Sequence, residues 1–276
     1  MEALTSSTAI AEVRDLAIAA TEHLNDANHN IAMRIAPDNF RAIDTEQFQL
    51  HRRRFRGRLA TNSLSDFILY VKSRVSEGEK APGFIDGDKL SATMLFNLGT
   101  PERPGHGDDT AHLALKASPA YSALIGAHGS TLQHLDALNW LQDWADHITY
   151  ADDEGNDLPT LPTYNALRKL TISATSEATS EERTHGTSRS ALEQVEARGA
   201  STLPAFIRFT CTPYAGLPER GLWLRVNVRE AGGKAALQFR IRNLDGEKEA
   251  IAQDFKTALL AELESHAALV IGTFTP

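Results

Sequence analysis

Between Leu203 and Asn243 three consecutive segments alternate apolar and polar residues with a period of two, and no other stretch narrows the possible folds so far. A strand sends successive side chains to opposite faces, so such a run is stable only with one face on a core and the other toward water. In the first segment Ile207, Phe209 and Cys211 fall on one side and Arg208, Thr210 and Thr212 on the other. The second sets Leu222, Leu224, Val226 and Val228 against Trp223, Arg225, Asn227 and Arg229. The third sets Leu237, Phe239 and Ile241 against Gln238, Arg240 and Arg242. Gly232 and Gly233 supply the positive φ of a tight hairpin between the last two. The expectation is an antiparallel meander whose outer face bears Arg208, Arg225, Arg229, Arg240 and Arg242 beside Trp223.

The 276 residues have a net charge of −8, which by itself argues against a polyanionic partner. The charge is segregated, however. Leu203 to Asn243 holds six arginines and one lysine against two glutamates, a local +5. His51 to Val75 holds six arginines and one lysine against Asp66, a local +6. Between Gln142 and Asp157 lie Asp143, Asp146, Asp152, Asp153, Glu154 and Asp157 with no basic residue. Local patches therefore matter more than the total. A chain 42% hydrophobic and 23% charged has the composition of a folded globular protein. The single cysteine, Cys211, excludes an intramolecular disulfide and reads as a small buried hydrophobe. The N-terminal stretch has Glu2, Glu12 and Asp15 and no basic leader, and no apolar run reaches bilayer length. A cytoplasmic protein with no membrane partner is the expectation.

Along the chain, Thr8 to Leu24 reads as a helix with Ile10, Val13 and Ala17 on one face, and Ile31 to Ile35 as a short strand ended by Pro37. If the basic block around Arg54, Arg56 and Arg58 is a strand, those three side chains share a face. Asn62 or Ser63 then caps a helix with the stripe Leu64, Phe67, Ile68, Val71 and Val75. Leu90 to Leu98 and His112 to Ala117 read as strands, Pro119 to Ile125 as a helix, and Thr131 to Ile148 as a longer helix with Leu135, Leu138, Leu141, Trp144 and Ile148 inward. Pro162 suits the first turn of a helix running to about Leu170. The polar runs from Ile172 to Ala197 read as an exposed hairpin. Glu249 to Ser265 reads as a closing helix, and Leu269 to Ile271 as an edge strand. Elements cluster instead of strictly alternating, so the class is α+β: an antiparallel meander with packing helices. The acidic Ala151 to Pro159 segment is the linker candidate, dividing the chain into an N-terminal α+β subdomain, 1–150, and a C-terminal sheet-plus-helix subdomain, 151–276.

The basic strand joined to SLSDFILYV at Ser63 to Val71, DTAHLAL at Asp109 to Leu115, and LDALNWLQDW at Leu135 to Trp144 resemble the YfdQ-like family of phage and prophage proteins, domain of unknown function 2303. So does the C-terminal order of LPAFIRF, WLRVNVR and LQFRIR, followed by the Phe255 helix. The chain departs from that pattern just before His112, where it has PERPGHGDD instead of an aromatic-rich loop. The resemblance implies a phage-encoded cytoplasmic protein concerned with DNA metabolism or host takeover, and transfers no active site.

Two functional readings follow. A basic face with an interleaved aromatic suits single-stranded nucleic acid, with Arg208, Arg225, Arg229, Arg240 and Arg242 on phosphates and Trp223 as a stacking platform. Arg54, Arg56 and Arg58 form a second patch for a nucleic acid or an acidic protein surface. The competing view is that these arginines are a solvated face, or are paired with acids such as those of 142–157. The alternative function is a host-takeover or anti-defence protein that binds and inhibits a host protein. A homo-oligomer accompanies either. His106, Asp108, Asp109 and His112 are ligand types for a transition metal but lack a recognised spacing, so no metal or other cofactor is expected. No Gly-x-Ser-x-Gly elbow or phosphate loop is present, and the protein is expected not to be an enzyme.

Overall fold

A computed structural model describes residues 10–19, 46–52, 54–76, 78–170, 203–231 and 234–275. The chain forms two units, Met1–Phe55 and Arg56–Pro276. In the first, residues 10–19 are helical (α1) and Glu46–Phe48 make a 3-10 turn. Ile10, Val13 and Leu16 of α1 are exposed. The strand read at Ile31 to Ile35, the hairpin read at 172–197 and the Gly232-Gly233 turn lie outside the described residues.

The second unit is α+β and contains two five-stranded sheets. One has the order β1 (Gly57–Thr61), β4 (Asp109–Ala114), β3 (Ser91–Leu95), β2 (Ala81–Asp86), β10 (Ala267–Ile271). Its central pairs are antiparallel, while β1 runs parallel to β4 and β10 parallel to β2. The other has the order β5 (Thr131–Gln133), β9 (Lys234–Ile241), β8 (Arg220–Ala231), β7 (Phe206–Cys211), β6 (Ile148–Ala151), and is antiparallel throughout. The helices of this unit are α2 (Leu64–Arg74), α3 (Pro119–Ala127), α4 (His134–Asp143), α5 (Thr160–Arg168) and α6 (Leu244–Leu263).

Local chemistry accounts for several boundaries. The Ser63 hydroxyl accepts the Asp66 amide and starts α2, whose Leu64, Phe67 and Val71 are buried. Ser118 caps α3 in the same way, with Pro119 in the first turn. Pro82 stands inside β2 without breaking it. Ala81 donates its amide to His266 and Ile85 accepts from Gly272, so odd residues of β2 bond the β10 side and the proline nitrogen points the other way. There the pairing with β3 begins only at Gly83, and no ladder bond is lost. Gly83 itself lies under Met94 and Leu269, where a Cβ would have no room.

The expected long helix gives way to long-range strand pairing. Thr131 to Ile148 is not one helix: its first residues become β5, paired with β9, and its last residue opens β6, paired with β7. Only α4 and a 3-10 turn at Ala145–His147 remain between them. The shortened helix buries Ala137, Leu138 and Leu141 and leaves Leu135 67% exposed. The division at 150/151 does not coincide with the sheets either. That boundary falls within β6, and the two sheets draw strands from both halves of the chain. Residues of both sheets belong to one buried cluster, from Met94 and Leu113 to Phe209 and Phe239. Trp140 of α4 stacks on Phe209 and Phe239 at 5.7 and 5.2 Å, pinning the helix to the inner face of the meander.

Candidate functional site

The period-two pattern of the meander is realised on both faces. Ile207, Phe209, Cys211, Leu222, Leu224, Val226, Leu237, Phe239 and Ile241 are all buried. Arg225, Arg229, Arg240 and Arg242 are exposed on the opposite face, with Arg208 and Trp223 partly so. Burial pushes the Cys211 thiol up to about 11, with Glu219 adding a smaller push, so this cysteine is a protonated core side chain.

Strand register turns these residues into rows. Thr149, Arg208 and Trp223 are successive partners across β6, β7 and β8, and Arg242 continues the row by donating its amide to the Trp223 carbonyl at 2.7 Å. In the next row Phe206 faces Arg225, and Arg225 faces Arg240. Asn227 then faces Gln238, and Gln238 faces Thr131 of β5. Two like charges directly opposite one another oppose sheet formation. Burial of the other face, not this row, holds β8 against β9.

The charges of the face are not equally engaged. Arg208 donates to Asp157 at 3.1 Å and lies with its guanidinium 5.6 Å from the centre of the Trp223 ring. Arg229 donates to the neutral Gln238 side chain at 3.0 Å. Among the described residues no carboxylate lies within ion-pair distance of Arg225, Arg229, Arg240 or Arg242. The remaining arginine of the meander, Arg220, points to the inner face and is matched by Asp254 at 2.6 Å and Glu247 at 3.4 Å from α6. Arg220 and Arg208 are thus matched by acids, while the other four outer guanidiniums are exposed and have no carboxylate partner among the described residues. Phe206 joins Trp223 edge-on at 6.4 Å, giving the face two neighbouring aromatic rings. The sequence reading overlooked Phe206, although its parity with Arg208 puts it on that side.

The second basic block is arranged differently from its expectation as a continuous strand. The strand begins only at Gly57, so Arg54 and Arg56 precede it and Arg58 alone lies within it. All three are exposed; Arg54 belongs to the first unit, and Arg56 and Arg58 to the second. Arg58 stands on the edge strand of the other sheet, so it does not extend the meander face. Next to it, partial burial and the Arg58 charge together hold the His112 imidazole below its ordinary value.

The His106 to His112 segment does not converge on a point. Asp109 is buried on the inner side of β4, where Arg74 of α2 donates to it, and its amide is taken by the Asn97 side chain. Asp108 accepts from the same Asn97 at 2.7 Å. His112 has the opposite parity and meets Thr93 at 3.0 Å on the outer side, while His106 is exposed. These groups brace the start of β4. Among the described residues no set of three or more His, Cys, Asp or Glu side chains is arranged to hold a metal. A groove of about 1180 Å³ lies elsewhere, between α2, the start of α3 and the later part of α6.

Fold and site together describe a two-sheet α+β unit in which one antiparallel sheet presents a cationic, aromatic face, four of whose arginines have no carboxylate partner among the described residues. The chain belongs to a family described as uncharacterized conserved protein (DUF2303), whose model matches residues 6–274. No curated protein and no solved structure matches it. Among the described residues no helix is long and apolar enough to cross a membrane.

Proposed function

We propose that the outer face of the meander binds single-stranded nucleic acid, and that the protein is a non-enzymatic accessory factor of phage or prophage DNA metabolism, acting in the bacterial cytoplasm. One observation supports the binding reading above all others. Arg225 and Arg240 face each other across two strands, with Arg229 and Arg242 on the same surface, and no described carboxylate neutralises any of them. Such a row is unfavourable in the free protein and is relieved by a phosphate backbone laid across it. Phe206 and Trp223 sit among these charges, where unstacked bases find a ring surface. A duplex keeps its bases stacked and internal, so the aromatic pair favours a single strand. The resemblance to phage and prophage proteins supports the cellular setting.

The test is the salt dependence of binding to a short oligothymidylate. Four phosphate contacts give a slope of log K against log salt of about −2.8, from about −0.7 per contact on a single strand. Arg225→Gln combined with Arg240→Gln should halve that slope to about −1.4. Absence of binding at low salt removes the nucleic-acid reading. The surface would then fit the acidic face of a host protein, for which charge segregation steers encounter.

A further inference from the structure

We propose that Asp157 acts as a built-in phosphate surrogate on Arg208, keeping the fifth arginine of the face out of the nucleic-acid contact count and so restraining affinity; this rests on the nucleic-acid reading above. One guanidinium nitrogen of Arg208, Nη2, donates to both carboxylate oxygens of Asp157, at 3.1 and 3.3 Å, a charge-assisted contact of the kind a phosphate oxygen would take. The acid is held there by a framework. Asp157 bridges Ala151, and Leu158 donates to the Tyr150 carbonyl at 2.8 Å, which lays the 157–158 segment beside β6. The turn before it is closed by the Asp152 carboxylate, which accepts the Asn156 amide at 2.8 Å and the Asn156 side chain at 3.1 Å. These bonds hold the Asp152 carboxyl below the usual carboxylate range. Through β6 the turn adjoins Arg208, because Thr149 and Arg208 are register partners. Among the described residues the other four outer arginines have no such acid.

The pair is exposed on both sides, 38% for Arg208 and 57% for Asp157, so a phosphate can compete for the guanidinium. Competition does not restore the lost contact. Asp157 is held beside Arg208 by its own turn, an intramolecular partner at high effective concentration, so the pair stays shut in the complex and Arg208 releases no counterion. With the pair shut, the wild-type protein registers four phosphate contacts. With Asp157 neutral, Arg208 counts as a fifth while still lying over Trp223.

Anisotropy titrations of labelled oligothymidylate against salt, on the full chain, read this directly. Wild type should give a slope near −2.8 and Asp157→Asn a slope near −3.5, a difference of about one single-strand contact. Asp153→Asn removes the same charge from the same turn without touching an arginine, and should match wild type. Asp157→Asn with Arg208→Gln should return to the wild-type slope. An unchanged slope in Asp157→Asn, or an equal steepening in Asp153→Asn, overturns the surrogate role while leaving the binding face intact. Failure of wild type and Asp157→Asn alike to bind at low salt overturns the nucleic-acid reading, and the surrogate role with it.

Discussion

His112 shows how a single side chain reports the electrostatics of its sheet. It stands on the outer side of β4 with its Nδ1 at 3.0 Å from the Thr93 hydroxyl, and Arg58 of β1 lies close enough to disfavour a second positive charge. Burial is the larger cause of its lowered pKa and Arg58 the smaller. Since the folded value lies below the unfolded value of 6.5, the unfolded chain binds more protons in the interval between them. The contribution of this histidine to stability is therefore complete above 6.5 and declines as pH falls toward the folded value. An NMR titration of the His112 ring should give a midpoint below 6.5 that rises in Arg58→Gln but stays depressed, because burial remains. A wild-type midpoint at or above 6.5 contradicts this arrangement.

The joint between α2 and β4 depends on a pair that sequence spacing conceals. Arg74 in the last turn of α2 meets Asp109 at the start of β4, 35 positions later, and the carboxylate is 4% exposed. Arg74→Met leaves that carboxylate buried beside an apolar neighbour, and should cost about 3–5 kcal/mol. Chemical denaturation measures this, and a loss below about 1 kcal/mol would mean that water reaches Asp109. The same limit explains which elements were legible. Parity along 206–242 revealed both faces of the meander, because each strand records its own burial in alternating residues. The stripe Leu64, Phe67 and Val71 likewise revealed α2. What lay hidden depended on distant partners: β5 exists because β9 offers an edge to Thr131–Gln133, and β6 because Ile148 finds Phe209. Leu135 and Leu138 looked equivalent until those strands shortened the helix. Of the site, all five outer arginines and Trp223 were legible by parity. Pairing with the acids of 142–157 was legible as a competing possibility, and Arg208 meets one of them, Asp157; which arginine would be matched was not, since that depends on β6, of which the expected helix reached only Ile148.

At the scale of the whole molecule, Arg56–Pro276 is one compact unit that includes the acidic turn at 152–157. Cutting the chain after residue 150 would remove β10 from the first sheet, leaving the apolar edge of β2 unpaired. It would also take β5 from β9 and nearly all of β6 from β7, while Trp140 would be separated from Phe209 and Phe239. The apolar side chains that bury one another are thus shared between the fragments, and neither half retains a closed core to offset the entropy of ordering its backbone. Expressed separately, 1–150 and 151–276 should each lack a cooperative thermal transition, whereas the full chain shows one for the Arg56–Pro276 unit. Mixed, the fragments should regain it only by associating. A cooperative transition in isolated 151–276 would show that the meander and α6 suffice as a domain, and that the shared cluster adds little to their stability.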